Sequence, residues 1–387
     1  MINHSVNNPG RDNAGAGAAS ILFSGDLVLD VADADYWLSG IAPAIHGADL
    51  AIGHLEVPHC HGGDELVGDV PAPGADPENL DAAARAGFRV LTLAGNHIAD
   101  CGAEGIRQTI DRLDRLGIGH AGAGANLTAA RAAAMTHCGD RRVAVLSYNC
   151  VGPEAAWATA GQPGCAYLPI LTGDGSPVRP LAPLTVPAAA AVGMLHSDIA
   201  AVRAKAELVI VALHKGIVHT PARLATYERP LAQAAIDAGA DVVISHHAHI
   251  LRGIEFHRGR PIYHGLGNGC VVTRAFSSNQ DHPARAEWSR RRRELFGFEP
   301  DPAYELAPFH PEAVHSMLGR LLWHPDGRIE SGFVPVFVEP PGQPVLAGAG
   351  RAAQVCDYVA RITLAAGLPA LQFEPRADMV GVSCSAC

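Results

Sequence analysis

The feature that most constrains this chain is a series of short apolar runs bounded by turn residues: Ile21–Leu29, Asp49–Leu55, Arg89–Ala94, Arg142–Tyr148, Glu207–Leu213, Asp241–Ser245 and Pro261–His264. Runs of this length and composition read as buried strands. Between them, a 3.6-residue period predicts helices over Asn79–Ala86, Glu104–Leu116, Leu127–Thr136, Ser197–Lys205 and Tyr227–Ala238, with a last one over Ala352–Ala365. Such alternation is satisfied by a layered α/β fold, because each helix must bury its apolar stripe on a sheet face. Two later apolar runs flank Asp326-Gly327, a hairpin signal.

Two segments interrupt the rhythm. Residues 151–192 are rich in Pro, Gly and Ala, and residues 273–313 carry aromatic and charged insertions. Long irregular stretches in a compact domain tend to be lids or binding loops. They are therefore expected to be elaborations of one catalytic domain over 20–375, with a disordered tail at 1–19 and another at 376–387. The chain has 387 residues, 48% of them hydrophobic, enough for a large core. A net charge of −10 argues against a nucleic-acid partner, and the Arg290–Arg293 run reads as a solvated helix face. No apolar stretch approaches the roughly 18 residues of a membrane span, and no signal-peptide pattern opens the chain. The expectation is a cytoplasmic protein without a membrane partner. Nine cysteines, an odd number scattered without a disulfide framework, read as reduced thiols.

The strand candidates end in residues that chemistry can use. Asp26 stands in "FSGDLVLD", His54 and Glu56 in "AIGHLEVPH", and Asn96, His97 and Asp100 in "LTLAGNHIADCG". His214 closes "VIVALH", and His246, His247 and His249 follow "ADVVIS". In open α/β sheets ligands bind at the carboxyl ends of strands, so these distant groups can converge. Singly, each has a bland reading: a turn cap, a surface carboxylate, a satisfied core histidine. Burying all of them at one sheet edge is costly unless something pairs with them, and a divalent cation does so most simply.

Taken in order, "GD", "LE", "GNH" with Asp three residues on, "LH-x-G", "HH-x-H", then "GIE" and "PIYHGLGN" resemble the CapA family, the poly-γ-glutamate capsule-synthesis type of the calcineurin-like metallophosphoesterase superfamily. The resemblance implies an α/β fold with a β-sandwich core flanked by helices and a metal centre at its edge. It also implies Asp26, Glu56, Asn96, His214, His247 and His249 as metal ligands, His97 as the acid–base group, and Asp100 as its orienting partner. An Asp–His pair suits that role, because the carboxylate fixes the imidazole tautomer and raises its basicity. The cofactor expected is a divalent ion (Ca, Mn, Mg, Fe or Zn), with no organic cofactor.

The chain departs from the family where His54 replaces the usual Asn and "KGIVHT" follows the strand-end His214. These changes touch the substrate side and put capsule-polymer synthesis in doubt. Within the family, the chain is most similar to the peptide epimerases encoded with lasso peptides. That similarity implies inversion of a Cα in a peptide substrate, with His54 or one of His246, His247 and His249 as a candidate second acid–base group and Lys215 or Arg252 holding a peptide C-terminal carboxylate. Metal-dependent phosphoester or amide hydrolysis is the alternative.

Overall fold

The computed structural model describes residues 17–66, 70, 72–275, 281–299, 301–306 and 310–384. Most of the first tail, and all of the C-terminal Cys-x-x-Cys except Cys384, lie outside the described residues.

Two sheets stack face to face. The large sheet runs, in order, Leu371–Pro375, Val380–Cys384, Ile329–Glu339, His315–Trp323, Ala19–Leu29, Leu50–Leu55, Val90–Thr92 and Gly119–Ala121, with Asn268–Val272 and Gln343–Leu346 pairing off this path. The second sheet runs Ile254–His257, Arg260–Tyr263, Val242–His246, Leu208–His214, Arg141–Asn149 and Ala134–Cys138. Phe23, Ile52 and Val90 of the first meet Val145, Ile210 and Ile244 of the second in one buried cluster. Helices cover the outer faces. Gly102–Leu116 and Leu80–Ala86 pack on the large sheet through Ile106, Leu113 and Leu80. Ala189–Arg203 and Glu228–Asp237 pack on the second through Leu195, Ile199 and Leu231. Full burial of each such side chain contributes roughly 1.5–3 kcal/mol. The result is the α/β architecture expected, a β-sandwich flanked by helices.

The strand pattern holds to within a residue or two at most ends, and three segments differ. The helix expected over Leu127–Thr136 stops at Ala130, and Ala134–Cys138 is an edge strand beside Arg141–Asn149. Its burial alternates, because cross-strand pairing overrides the helix propensity of Ala and Met. The helix expected from Ser197 begins at Ala189. The segment read as a C-terminal tail carries the strand Val380–Cys384, whose Val380 and Val382 enter the core between the two sheets. Its short length and polar flanks hide that strand in the sequence. Loop 273–313 contains the helix Pro283–Phe296. Its Arg290, Arg291 and Arg293 form exposed ion pairs with Glu287, Glu294 and Glu299, whereas Arg292 is buried and lies over the Trp288 ring. Every described cysteine is a free thiol. Among the described residues, no helix is long and apolar enough to cross a membrane.

What positions the site is the parallel half of each sheet. Ala19–Leu29, Leu50–Leu55 and Val90–Thr92 run parallel, as do Arg141–Asn149, Leu208–His214 and Val242–His246. In the second sheet Asn149, His214 and His246 stand in register at the carboxyl ends. Asp26 sits where its strand changes partner, antiparallel to His315–Trp323 before it and parallel to Asn268–Val272 after it. Gly25 makes that crossing possible, since a Cβ there would stand 2.0 Å from the Gly267 carbonyl oxygen.

Candidate metal centre

Asp26, Glu56, His214 and His247 are each no more than 2% exposed. They come together with His54 and His249 in three overlapping groups: Asp26–His54–His214, Glu56–His214–His247 and Asp26–Glu56–His249. Within each group the ligand atoms lie within 4.8 Å of one another. Asn96 joins through its Oδ1, 2.7 Å from His214 Nε2. All six residues expected as ligands thus share one pocket.

The donor set fits a divalent cation. Glu56 Oε2 and both ring nitrogens of His247 are buried and make no hydrogen bond. Leaving such groups unpaired costs about 1–3 kcal/mol each, which a cation would offset. Mixed carboxylate and imidazole donors suit Mn, Fe or Zn, and the oxygen ligands also admit harder ions. Three of the imidazoles are in the state a cation needs. Burial, reinforced by neighbouring imidazoles, keeps His54 and His214 well below the usual histidine range. Burial holds His247 down to about 3. These rings are therefore neutral and able to ligate. Burial opposes ionisation of Glu56, yet His249, with Nε2 3.2 Å from Oε1, holds the carboxyl at about 2. Burial likewise opposes protonation of His249, but Glu56 and Asp26 lift it to about 9. Burial and the Glu56 charge raise Asp26 well above the carboxylate range.

The backbone is bent to this purpose. His247 and His249 have φ of 90° and 52°, in the left-handed region that non-glycine residues rarely occupy. The His247 amide donates to the Asp26 carboxylate at 3.3 Å, which fixes the turn. His246 points the other way. Its Nε2 donates to the Ser24 carbonyl, and its ring stacks on His54 with centroids 4.4 Å apart, so it supports the ligands from behind.

His97 and Asp100 stand at the front. His97 Nδ1 lies 2.6 Å from Asp100 Oδ2, and the Ala72 amide donates to the same oxygen at 2.5 Å. Asp100 is buried, while the His97 side chain keeps 15% of its surface. His97 lines a cavity of about 590 Å³ whose floor is Asn96, His247 and His249 and whose walls include Leu181, Val218, His219, Trp288 and Phe296.

Three expected roles need correction. His54 does not face His97 across the cleft. It lies behind His214, 1% exposed, with its ring nitrogens 3.0 Å from Thr92 Oγ1 and 2.9 Å from His214 Nδ1, in one of the groups that could hold a cation. Lys215 and Arg252 do not reach a substrate. Both are 0% exposed and bound to buried Glu228, Lys215 at 2.9 Å and Arg252 bidentately at 3.2 Å. Residues with no earlier assignment also matter. Asn268 Oδ1 takes the Nδ1 proton of His249 at 3.0 Å and so aims Nε2 at Glu56. His219, in the departing "HKGIVHT", has φ of 52° and sits between the ligands and Phe296. Its place in a segment that breaks the family pattern was the available signal.

Residues 2–271 match the family model described as bacterial capsule synthesis protein PGA_cap. The chain belongs to that family. Among PGA_cap relatives, it is 26% identical over 241 residues to the capsule biosynthesis protein CapA of Bacillus anthracis, covering 60% of this chain and 53% of that one. It is 24% identical over 245 residues to the PGA biosynthesis protein CapA of Bacillus subtilis, covering 63% and 58%. The matched region thus spans little more than half of each relative. Among solved structures, the calcineurin-like phosphoesterase YfkN from Bacillus subtilis aligns over 90% of this chain and 98% of its own at 13% identity, with a TM-score of 0.36.

Proposed function

We propose that this PGA_cap protein is a metal-dependent acid–base enzyme acting on a peptide. In the finer reading it inverts the Cα of a C-terminal residue of a ribosomal, lasso-type precursor. The observation that carries the reading is the 2.6 Å His97–Asp100 pair at the mouth of a cleft floored by buried ligands. With Nδ1–H donated to Asp100, His97 Nε2 is left as the acceptor for a substrate proton. Asp100 stabilises the imidazolium that results, and the Ala72 amide keeps Asp100 in place. His219 lines the same cavity and is kept neutral by burial, so it is the candidate for exchanging a proton on the opposite face. Asp26, His54, Glu56, His214, His247 and His249 would hold a divalent cation, which would supply positive charge beside the reacting Cα. Leu181, Val218, Trp288 and Phe296 exclude water and offer apolar contact to a peptide side chain.

Incubation with a candidate peptide in D2O tests this. One deuteron at one Cα without cleavage is the expected product, and absence of exchange refutes epimerisation. A second reading, hydrolysis of a phosphoester or amide, is favoured by Asp26 and Glu56, each of which serves two ligand groups as a two-cation clamp would require. Turnover of p-nitrophenyl phosphate would select it.

A further inference from the structure

A second chamber of about 920 Å³ adjoins the cleft, and the two share Leu181, Val218, His219 and Phe296 as a common wall. Arg223 is the one residue with a permanent charge among those lining it. Its side chain is exposed and forms no ion pair among the described residues, in a chain whose net charge is −10. A guanidinium lining a chamber of mixed polar and apolar surface selects an anion, and its fork matches a carboxylate.

The backbone that carries Arg223 is held from beneath. Arg252 Nη2 donates to the Arg223 carbonyl, and the Ala225 amide donates to Glu228 Oε1 at 2.7 Å. Lys215 completes this buried network one residue after His214, so the same ion cluster ties the metal-ligand strand to the Arg223 loop. Gly216 is obligatory between them. Its φ is 109°, and a Cβ there would stand 2.2 Å from Arg252 Nη1.

We infer that the chamber is a recognition subsite for an acidic peptide. Arg223 binds a side-chain carboxylate at some remove from the reacting atoms, and Leu181, Val218 and Phe296 pack the intervening apolar residues. This assignment rests on the peptide reading above. The binding test below and the deuterium-exchange test above separate them, because one reads binding and the other reads chemistry.

The probes are N-acetylated tetrapeptides on an alanine background, with Glu, Gln or phosphoserine placed at each position in turn. Their Kd values are measured by calorimetry on the full chain supplied with Mn2+. At its best position, Glu should bind about tenfold tighter than Gln, the scale of one charge-assisted hydrogen bond. In Arg223→Gln that ratio should fall to about twofold or less, and in Arg223→Lys it should be partly kept. Equal binding of the Glu and Gln peptides, a preference that survives in Arg223→Gln, or phosphoserine binding more tightly than Glu would each overturn the carboxylate assignment. An acid preference that vanishes in Arg223→Gln, found together with no deuterium exchange, would leave the subsite standing and refute only the epimerase reading.

Discussion

Substituting Glu228 by Gln probes the buried ion network most directly. Lys215, Glu228 and Arg252 are all 0% exposed, and the carboxylate is the partner both cations share. Burial alone would make Glu228 harder to ionise, but Arg252 and Lys215 hold it at about 2 against 4.5 for a free glutamate. At about 1.4 kcal/mol per pH unit, that difference corresponds to about 3 kcal/mol. Breaking a buried pair independently costs about 3–5 kcal/mol, because it strands the remaining charge. Unfolding entropy of about 2 cal/mol/K per residue converts 3 kcal/mol into a fall of about 4 °C in melting temperature for a chain of this size. Lys215→Met should cost less, since it leaves the bidentate Arg252–Glu228 pair intact. The pH dependence has a definite sign. A depressed carboxyl contributes its stability fully above 4.5 and loses it as pH falls toward about 2, so this acid-sensitive share of stability should be missing from Glu228→Gln. Differential scanning calorimetry of the two variants, with denaturation followed from pH 7 downward, is the assay. A Glu228→Gln protein melting within about 1 °C of the parent, or Lys215→Met proving the more damaging change, would refute the reasoning.

Other outcomes follow from the same geometry. Removing bound metal with EDTA should lower the melting temperature, and restoring it at 100 times its Kd should return about 2.7 kcal/mol, or about 3 °C; calorimetry with elemental analysis checks both. His247→Gly should abolish most of that metal-dependent gain while leaving the metal-free chain nearly as stable, because it relieves a φ of 90° and removes two unpaired buried nitrogens. His97→Ala should reduce turnover about 10²- to 10⁴-fold without changing metal content, and Asp100→Asn should fall in the same range, both read by single-turnover kinetics. Trp288→Ala should raise KM for a peptide more than it lowers kcat, since Trp288 lines the cleft without joining the ligands.

The ligand set was legible because metal chemistry leaves an unusual mark: Asp, Glu, Asn and His at strand ends, where a globular core would ordinarily place apolar or turn residues. Asp26, Glu56, Asn96, His214, His247 and His249 each had a bland reading alone and stood out through their order along the chain, and the parallel strands bring them together. Lys215 and Arg252 could not be read correctly, because whether a cation faces a cleft or the interior depends on its partner. That partner, Glu228, lies 13 and 24 residues away at the start of a helix. His54 was misassigned for a related reason. Its neighbours His214 and His246 reach it from the other sheet, and no local pattern records that one imidazole stands behind another. The Val380–Cys384 strand went unread because its five residues gain their stability from pairing with Ile329–Glu339 rather than from local propensity.

These errors share a direction, and it bears on how the site works. Groups expected at the substrate face turned out to be buried supports. The cavity walls come instead from segments outside the recognisable motifs: Leu181 in the Pro-rich stretch, His219 and Arg223 after the altered strand end, and Trp288 and Phe296 on an inserted helix. Side chains that hold a cation must satisfy its geometry, which restricts residue type and position severely. The surrounding wall need only match whatever molecule is bound, so it can be rebuilt from insertions without disturbing the centre. The Glu228 network separates the two demands physically. It ties the end of the Leu208–His214 strand on one side to the backbone of the Arg223 loop on the other, so a change of residue in that loop leaves the strand-end anchor in place.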